Sequence, residues 1–368
     1  MKNYKLLVKT KNKKYSIIIG RNLINNFEKI LKKERIFFKK CLIVADKKIP
    51  KNIIKKFKKN IKVNKFCFYS FVSNEKNKNY KSVNKILNIL FKENFSRDDC
   101  VISMGGGITG DVSGFACSIY KRGIKFINLP TTLLAQVDSS IGGKTGINNK
   151  YGKNLIGSFY QPDLVISDTL FLNSLPKREL VCGYGEILKH SIIASQKNFD
   201  FLETFKRNIF NLESPFIEKA IYESCKIKKN IIQKDEGEKN LRKVLNFGHT
   251  FAHAYEASLK FSNKLNHGEA VILGIISASK YSCINNYLLI KDYNKIINHI
   301  KSLNLNLSIN KFFKKKSIDD ILNFMKMDKK NKSSKINLIL IKKFGKPIIN
   351  LNFNLSKIKY FLKKELDK

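Results

Sequence analysis

Short apolar runs alternate with segments of helical periodicity through the first half of the chain, and this alternation restricts the fold more than any other feature. The runs are rich in β-branched and aromatic residues and predict strands at residues 15–19, 41–45, 65–70, 100–104, 125–129 and 164–167. Helices are predicted between them at residues 50–59 and 80–95. Strand–helix–strand units at this spacing predict a parallel sheet.

The pattern changes after Pro176, where long helical segments replace the alternation. Helices are predicted at residues 178–195, 215–234, 241–259, 267–287 and 318–327, with one late strand at 335–341. We therefore predict an α/β N-terminal domain with a Rossmann-like parallel sheet, residues 1–175. A mostly α-helical C-terminal domain is predicted for residues 176–368.

The net charge of +42 suggests a nucleic-acid-binding protein, but the composition argues against one. Only seven of the 71 basic residues are arginine, the side chain that grips phosphate and guanine bidentately. The lysines are spread along the whole chain, with no arginine-rich or aromatic-interleaved stripe. We interpret the charge as a solvated lysine surface and expect no nucleic-acid partner. An arginine retained in such a chain is expected to do something that lysine cannot.

Cysteine usage and hydropathy indicate the compartment. The seven cysteines are odd in number and scattered, without a Cys-x-x-Cys pair, which is typical of reduced thiols in the cytoplasm. No apolar stretch of signal-peptide length follows the charged residues 1–5. The longest apolar run, residues 270–278, is far shorter than the roughly 20 residues that span a bilayer. We expect a cytoplasmic protein with no membrane partner.

A glycine-rich turn, residues 105–111, joins the predicted strand at 100–104 to a helical segment. In this arrangement the backbone N–H groups of a helix N-terminus can bind a phosphate. Asp46 follows the strand at 41–45, where an acidic residue can hold a ribose hydroxyl. The other polar residues after predicted strands are Glu75, Lys78, Thr131 and Thr132. Because the carboxyl ends of parallel strands form a ligand crevice, the pattern predicts a bound dinucleotide.

Three of the five histidines lie between residues 249 and 267. Arg242, Asn246, His249 and His253 are spaced by four, three and four residues, so on one continuous helix they would project from one face. Such a polar stripe is costly to bury for packing alone. An exposed face of this chain would more often carry lysine or asparagine, so the spacing indicates a functional face.

The histidines also suggest a metal site. His249 and His253 could share one ion, but no Glu follows His249, which excludes a His-Glu-x-x-His protease motif. His267 opens the next predicted helix and can fold back towards them, while Glu186 and Lys189 lie at i, i+3 on an earlier helix. Neutral imidazoles with a carboxylate are typical of a catalytic zinc site with an open position. The spacing alone leaves His253 and Glu186 as alternative third ligands.

Two predicted glycine-rich turns each carry a lysine. Asp138 precedes Lys144 within residues 136–146, and Lys153 and Asn154 follow Gly152. Beside a nucleotide crevice, these residues favour recognition of an anionic small substrate.

Eight motifs lie in order along nearly the whole chain: GGGITGD (105–111), YKRG (120–123), LPTTLL (129–134), QVDSSIGGKT (136–145), GKN (152–154), YQP (160–162), NFGHTF (246–251) and HGEAV (267–271). Together they resemble the 3-dehydroquinate synthase family of sugar-phosphate cyclases. The resemblance implies an NAD⁺- and zinc-dependent carbon–oxygen lyase of the shikimate pathway, with cobalt as an alternative metal. The family converts 3-deoxy-D-arabino-heptulosonate 7-phosphate to 3-dehydroquinate and phosphate through transient oxidation, phosphate elimination, re-reduction and intramolecular aldol closure.

The resemblance also implies a role for each matching residue. The metal ligands would be Glu186, His249 and His267, which makes His253 a substrate-side group. Residues in contact with NAD⁺ or beside it would be Asp46, Glu75, Lys78, Gly105, Gly106, Gly107, Asp111, Thr131, Thr132, Lys144, Lys153 and Asn154. Substrate-side residues would be Asp138, Lys144, Asn154, Lys189, Lys228, Glu238, Arg242, Asn246 and His253. Arg122 would reach in from the partner of a homodimer, and either Lys329 or Lys330 would close the site.

Two positions depart from the family pattern. Gly185 stands where Ala is common, and Asn74 stands where Gly is common, which leaves the register of Glu75 and Lys78 open. The near alternatives are another sugar-phosphate cyclase and a polyol dehydrogenase similar to glycerol dehydrogenase. The groups that the resemblance assigns to a substrate carboxylate favour the synthase, and they are Lys228, Arg242 and Asn246.

Overall fold

The computed structural model describes residues 3–11, 13–238, 240–305, 307–327 and 335–367 of the chain. The chain forms two compact units. Unit 1 comprises Met1–Gly183 and Asn208–Gln233, and unit 2 comprises Tyr184–Arg207 and Lys234–Lys368. The predicted boundary after residue 175 lies within unit 1 and stays a prediction.

Unit 1 contains a seven-stranded sheet and a separate two-stranded hairpin. Its strands are β1 (Tyr4–Lys9), β2 (Lys14–Gly20), β3 (Lys40–Asp46), β4 (Lys65–Phe71), β5 (Cys100–Gly105), β6 (Lys125–Pro130), β7 (Lys144–Asn149), β8 (Gly152–Phe159) and β9 (Leu164–Asp168). The sheet order is β1-β2-β9-β6-β5-β3-β4, parallel except for the antiparallel pair β1–β2. The Rossmann-like sheet is therefore confirmed, and all six predicted strands belong to it.

The central strands carry apolar side chains on both faces because each face of the sheet packs into a hydrophobic core cluster. Along β3, Cys41 and Ile43 pack into one core cluster, while Leu42 and Val44 pack into the other. Strands covered on both sides lack a polar face, so their sequences are continuous apolar runs. This is why the runs predicted the strands correctly.

The described helices follow in chain order. They are α1 (Phe27–Glu34), α2 (Lys51–Lys59), α3 (Tyr80–Lys92), α4 (Gly107–Ile119), α5 (Lys177–Ala194), α6 (Gln196–Phe210), α7 (Phe216–Lys234), α8 (His249–Ser258), α9 (His267–Ile284), α10 (Ile290–Ser302), α11 (Ile309–Phe312), α12 (Ile318–Met327) and α13 (Leu355–Leu366). Within the described ranges, none of them combines the length and the apolar character that a membrane crossing requires.

The segment interpreted as two glycine-rich turns is partly a β-hairpin. Gly142 and Gly143 do form a turn with positive φ, but Gly146 lies in β7 and pairs with Gly157 of β8. A Cβ atom on Gly157 would lie 2.1 Å from the carbonyl oxygen of Thr145. Here glycine permits close approach of two strands, a role that a turn prediction does not anticipate.

The prediction of one continuous helix over residues 241–259 is wrong. Leu241–Asn246 is a 3₁₀ helix, Phe247 lies in a turn, and Gly248 caps the N-terminus of α8 with a φ of +79°. Glycine adopts this left-handed conformation without a steric penalty, so the chain changes direction there. The four-residue polar stripe therefore does not exist as predicted, although His249 and His253 still share one face of α8.

Unit 2 also contains an antiparallel pair of strands, β10 (Lys335–Lys343) and β11 (Lys346–Asn354). The single late strand predicted at 335–341 lies in β10, and its partner β11 was not predicted.

Candidate active site

The carboxyl edge of the sheet in unit 1 carries several of the predicted nucleotide-binding residues. Asp46 ends β3, Gly105 ends β5, and Thr131 directly follows β6. Gly106 caps the N-terminus of α4, and no side chain of the described residues forms a capping hydrogen bond there. The first N–H groups of α4 and the positive end of its dipole are therefore available to an anion such as a phosphate.

The glycines at the start of α4 allow close packing. A Cβ atom on Gly105 would lie 2.4 Å from Oγ1 of Thr109, and one on Gly107 would lie 2.9 Å from Oγ of Ser139. The segment that follows β6 can therefore pack directly against the start of α4. A Cβ atom at either glycine would require the neighbouring side chain, Thr109 or Ser139, to shift.

Lys78 and Asp111 form an ion pair that is largely shielded from solvent. Burial raises the pKa of Asp111 to about 6, and the charge of Lys78 limits the rise. At neutral pH Asp111 is therefore ionised beside Lys78. Burial also raises the pKa of Asp46, while its contacts with Lys48 oppose the rise.

Asn148, which the sequence analysis missed, connects two of the predicted nucleotide-binding segments. Its Nδ2 donates to Oε2 of Glu75 over 2.7 Å, and its backbone N–H donates to the carbonyl of Lys78 over 2.8 Å. Its Oδ1 accepts a hydrogen bond from the backbone N–H of Asn154 over 3.0 Å. Asparagine is common in this chain, so only the position of Asn148 between two motifs could have indicated this role.

Asp138 and Lys228 form a second ion pair in unit 1. Nζ of Lys228 donates to Oδ1 and to the carbonyl oxygen of Asp138, both over 2.6 Å. Lys228 is buried on α7, whereas Lys144 at the start of β7 is exposed. Two predicted substrate-side residues are thus brought together.

Arg122 lies on a strained turn that follows α4. Lys121 and Arg122 have φ values of 47° and 62°, and Gly123 has a φ of 130°. Each left-handed residue other than glycine costs on the order of 1 kcal/mol, and such strain is concentrated at functional sites. Both side chains are exposed. The turn therefore holds an arginine outward at an energetic cost.

In unit 2, side chains from three helices converge. Glu186 comes from α5, and His249 and His267 are the first residues of α8 and α9. One ligand atom from each lies within 4.8 Å of the others. Nε2 of His249 and Nε2 of His267 approach the same oxygen, Oε1 of Glu186, at 3.4 and 4.0 Å. His253 is beside this group, with its ring centroid 5.2 Å from that of His249.

The electrostatics of the cluster suit a metal ion. Burial alone would raise the pKa of Glu186, but Lys189 and His249 outweigh it and hold that pKa well below its usual range. Burial lowers the pKa of His249. The carboxylate is therefore charged and the imidazole neutral at pH 7, as metal ligation requires.

Glu186 also has ligand capacity to spare. Both of its oxygens are buried; Oε2 contacts the ammonium group of Lys189, and Oε1 faces Nε2 of both histidines. A buried carboxylate must be compensated, so Lys189 can serve one oxygen and a metal ion the other. Together with two imidazole nitrogens it matches the donor set of a catalytic zinc site, so the residues fit a metal ion.

Three further predicted residues lie in one short segment before α8. Arg242 is buried, and its Nη1 donates to the carbonyl of Glu236 over 2.7 Å. Nδ2 of Asn246 donates to Oε1 of Glu238 over 3.1 Å. Lys329 and Lys330, the predicted closing residues, lie outside the described residues.

The chain matches two family models in succession. They are the 3-dehydroquinate synthase N-terminal family over residues 68–182 and the 3-dehydroquinate synthase C-terminal family over residues 183–331. The chain is also 58% identical over 364 residues to a 3-dehydroquinate synthase of Pelagibacter ubique, with 99% of each chain covered.

Two solved structures have a similar fold. A 2-deoxy-scyllo-inosose synthase, complexed with carbaglucose-6-phosphate, NAD⁺ and Co²⁺, is 25% identical with a TM-score of 0.85, covering 98% of this chain and 100% of that one. A 2-epi-5-epi-valiolone synthase from Streptomyces hygroscopicus, with NAD⁺ and Zn²⁺ bound, is 22% identical with a TM-score of 0.85, covering 98% of both chains. The second likeness concerns the fold alone. With two family matches and a relative aligned over nearly its full length, the chain belongs to the 3-dehydroquinate synthase family.

Proposed function

We propose that the chain is a carbon–oxygen lyase of aromatic amino acid biosynthesis that uses NAD⁺ and a zinc ion. It converts 3-deoxy-D-arabino-heptulosonate 7-phosphate to 3-dehydroquinate and phosphate. The observation that carries this proposal is the 58% identity, over 99% of both chains, to a relative named for that activity. Cobalt is the alternative metal, since the 2-deoxy-scyllo-inosose synthase structure is a complex with Co²⁺.

The convergent cluster of unit 2 is assigned to the metal. Glu186, His249 and His267 would hold the ion, which leaves a fourth position for a substrate oxygen. Lys189 keeps Glu186 ionised and places an ammonium group in the same buried region. When bound, NAD⁺ would accept a hydride from the substrate and return it, and the metal would supply Lewis-acid chemistry.

The sheet edge of unit 1 is assigned to NAD⁺. The N-terminus of α4 takes the pyrophosphate, and Asp46 accepts a hydrogen bond from a ribose hydroxyl. The ion pair of Lys78 and Asp111 holds its segment in place, and Asn148 links that segment to Asn154. The remaining residues assigned to NAD⁺ are Glu75, Thr131, Thr132, Lys144 and Lys153.

The substrate carries a carboxylate and a phosphate, so its binding requires cationic groups. Lys228 and Arg242 are buried cations, and each is oriented by a neighbouring oxygen acceptor. A pre-oriented cation loses little freedom when it binds the charged substrate and stabilises charge that develops during elimination. Asp138, Asn154, Glu238, Asn246 and His253 complete the proposed substrate side, with Lys329 or Lys330 as the closing residue.

We assign the functional form to a homodimer in the cytoplasm. The strained turn supports the dimer, because it holds Arg122 outward, where it can enter the site of a second copy. All seven cysteines are free thiols, which supports a reducing compartment.

The decisive experiment incubates the purified protein with the seven-carbon substrate, a catalytic amount of NAD⁺ and Zn²⁺. We expect one phosphate and one 3-dehydroquinate per substrate, measured by phosphate release and mass spectrometry, without accumulation of NADH. Stoichiometric NADH would indicate a polyol dehydrogenase instead. Turnover only of a sugar phosphate that lacks a carboxylate would indicate another cyclase.

A further inference from the structure

Glu256 contacts one of the proposed metal ligands from outside the cluster. Its Oε2 lies 3.1 Å from Nδ1 of His267, and its side chain is only 14% exposed. Glu256 is on α8. His249, His253 and Glu256 are separated by four and then three residues, so the three side chains share one helical face.

This contact determines which nitrogen of His267 can bind a metal. An ionised carboxylate only accepts hydrogen bonds, so Nδ1 must carry the ring proton. The lone pair then resides on Nε2, the atom that lies 4.0 Å from Oε1 of Glu186. His249 has the same arrangement with a neutral acceptor, because its Nδ1 lies 3.4 Å from the carbonyl of Phe247.

The two histidines differ in how firmly their surroundings hold them. The side chain of His249 is 11% exposed, whereas that of His267 is 34% exposed. The more exposed ring has more rotational freedom to lose on binding a metal. His267 is also the ring whose Nδ1 faces a carboxylate, that of Glu256.

The neighbouring carboxylate of Glu269 has a different role. Oε2 of Glu269 accepts a hydrogen bond from the backbone N–H of Asn266, within the capping box that begins α9. It therefore stabilises the helix start, whereas Glu256 contacts the imidazole of His267 directly.

We propose that Glu256 is a positioning residue for the metal site: its carboxylate fixes the tautomer and orientation of His267 and strengthens Nε2 as a ligand. This inference rests on the proposed function, because it requires that the cluster binds a metal. Outer carboxylates of this kind raise metal affinity by about 10- to 100-fold in other histidine sites.

The test measures metal affinity rather than activity. The metal-free full-length protein is titrated with Zn²⁺ against a chromophoric chelator, and with Co²⁺ by its visible absorption. We expect Glu256→Ala to weaken Zn²⁺ binding by about 10- to 100-fold. Glu256→Gln keeps an acceptor but loses the charge, so its affinity should fall between those of Glu256→Ala and the wild type.

A matched control is Glu365→Gln. Glu365 belongs to the same unit, is 13% exposed and forms an ion pair with Lys280 over 2.5 Å. Its substitution should leave Zn²⁺ affinity unchanged even if it lowers the melting temperature. A purely structural role of Glu256 would resemble this control.

The outcomes separate the inference from the proposed function. A wild-type protein that binds no Zn²⁺ or Co²⁺ overturns both. A wild-type protein that binds one ion, with Glu256→Ala and Glu256→Gln binding equally tightly, overturns the role of Glu256 alone. If Glu256→Ala does not fold, the nearly isosteric Glu256→Gln decides: unchanged affinity overturns the inference, and weaker affinity with the control unchanged supports it.

Discussion

The backbones of Gly248 and Gly274 are in direct contact, and this contact sets the distance between α8 and α9. A Cβ atom on Gly274 would lie 2.2 Å from the carbonyl oxygen of Gly248, which itself has a φ of +79°. A side chain at position 274 would therefore push the helices apart. The close approach allows His249 and His267 to lie with their ring centroids 5.8 Å apart.

We expect Gly274→Ala to destabilise the protein by about 2–3 kcal/mol, because the new methyl group meets backbone that cannot rotate away. Metal affinity should fall as well, since α8 and α9 each supply a ligand. Thermal unfolding and Zn²⁺ titration measure the two effects. Gly152→Ala is the control, since its Cβ atom would meet only the flexible side chain of Leu155 at 3.2 Å. Equal stability of Gly274→Ala and the wild type would contradict the packing argument.

The histidines should separate metal binding from turnover. His267→Ala should lose bound zinc, because it removes one of three converging ligands. His253→Ala should retain zinc and lose turnover, because the ring of His253 lies outside the group of ligand atoms and is exposed. Metal analysis of both folded variants is the measurement. Loss of zinc from His253→Ala would mean that the pair at i, i+4 binds the metal.

NAD⁺ binding should weaken in acid. Burial raises the pKa of Asp111 to about 6, with Glu75 and Asp138 adding to the rise and Lys78 opposing it. Below that pH, Asp111 is neutral and no longer pairs with Lys78. We expect the dissociation constant of NAD⁺ to rise by up to about tenfold per pH unit below about 6. Calorimetric titration measures it, and the Asp111→Asn variant should bind weakly with a flat profile in this range.

The same group has the opposite effect on the stability of the cofactor-free protein. Because the pKa of Asp111 is higher in the folded state than the unfolded value of about 4, the folded state holds the proton more tightly. Its stabilising contribution is complete below about pH 4 and is lost as the pH rises through about 6. The difference in unfolding free energy between wild type and Asp111→Asn should follow this trend. A difference that does not change with pH would contradict the raised pKa.

The sequence predicted the sheet well and the polar stripe poorly, for a physical reason. Strands such as β3 and β5 are buried on both faces, so burial itself produces the apolar pattern. Residue spacing cannot reveal the break in the helix at Gly248, because the spacing between residues is the same whether φ is positive or negative. The spacing of residues 242, 246, 249 and 253 fits a helix that the backbone does not form.

The missed residues of the candidate site act through other residues. Asn148 bonds to protein groups of two segments, and Glu256 contacts Nδ1 of His267. Such residues have no chemical motif of their own and become visible only when their partners are placed. Gly185 departs from the family pattern, and a Cβ atom there would lie 2.9 Å from the carbonyl of Gly268, next to His267.

Arg242 should not tolerate lysine. Its guanidinium donates one N–H group to the carbonyl of Glu236 over 2.7 Å, and its planar fork presents further donors for a substrate anion. A lysine ammonium cannot reproduce both directions. We expect Arg242→Lys to lower kcat/KM at least 10-fold, about 1.4 kcal/mol of transition-state binding, with NAD⁺ affinity unchanged. Arg207→Lys, at an exposed position of α6, is the control and should leave kcat/KM unchanged. An Arg242→Lys enzyme with wild-type kcat/KM would mean that Arg242 supplies only charge, and that an arginine retained among so many lysines carries no functional information.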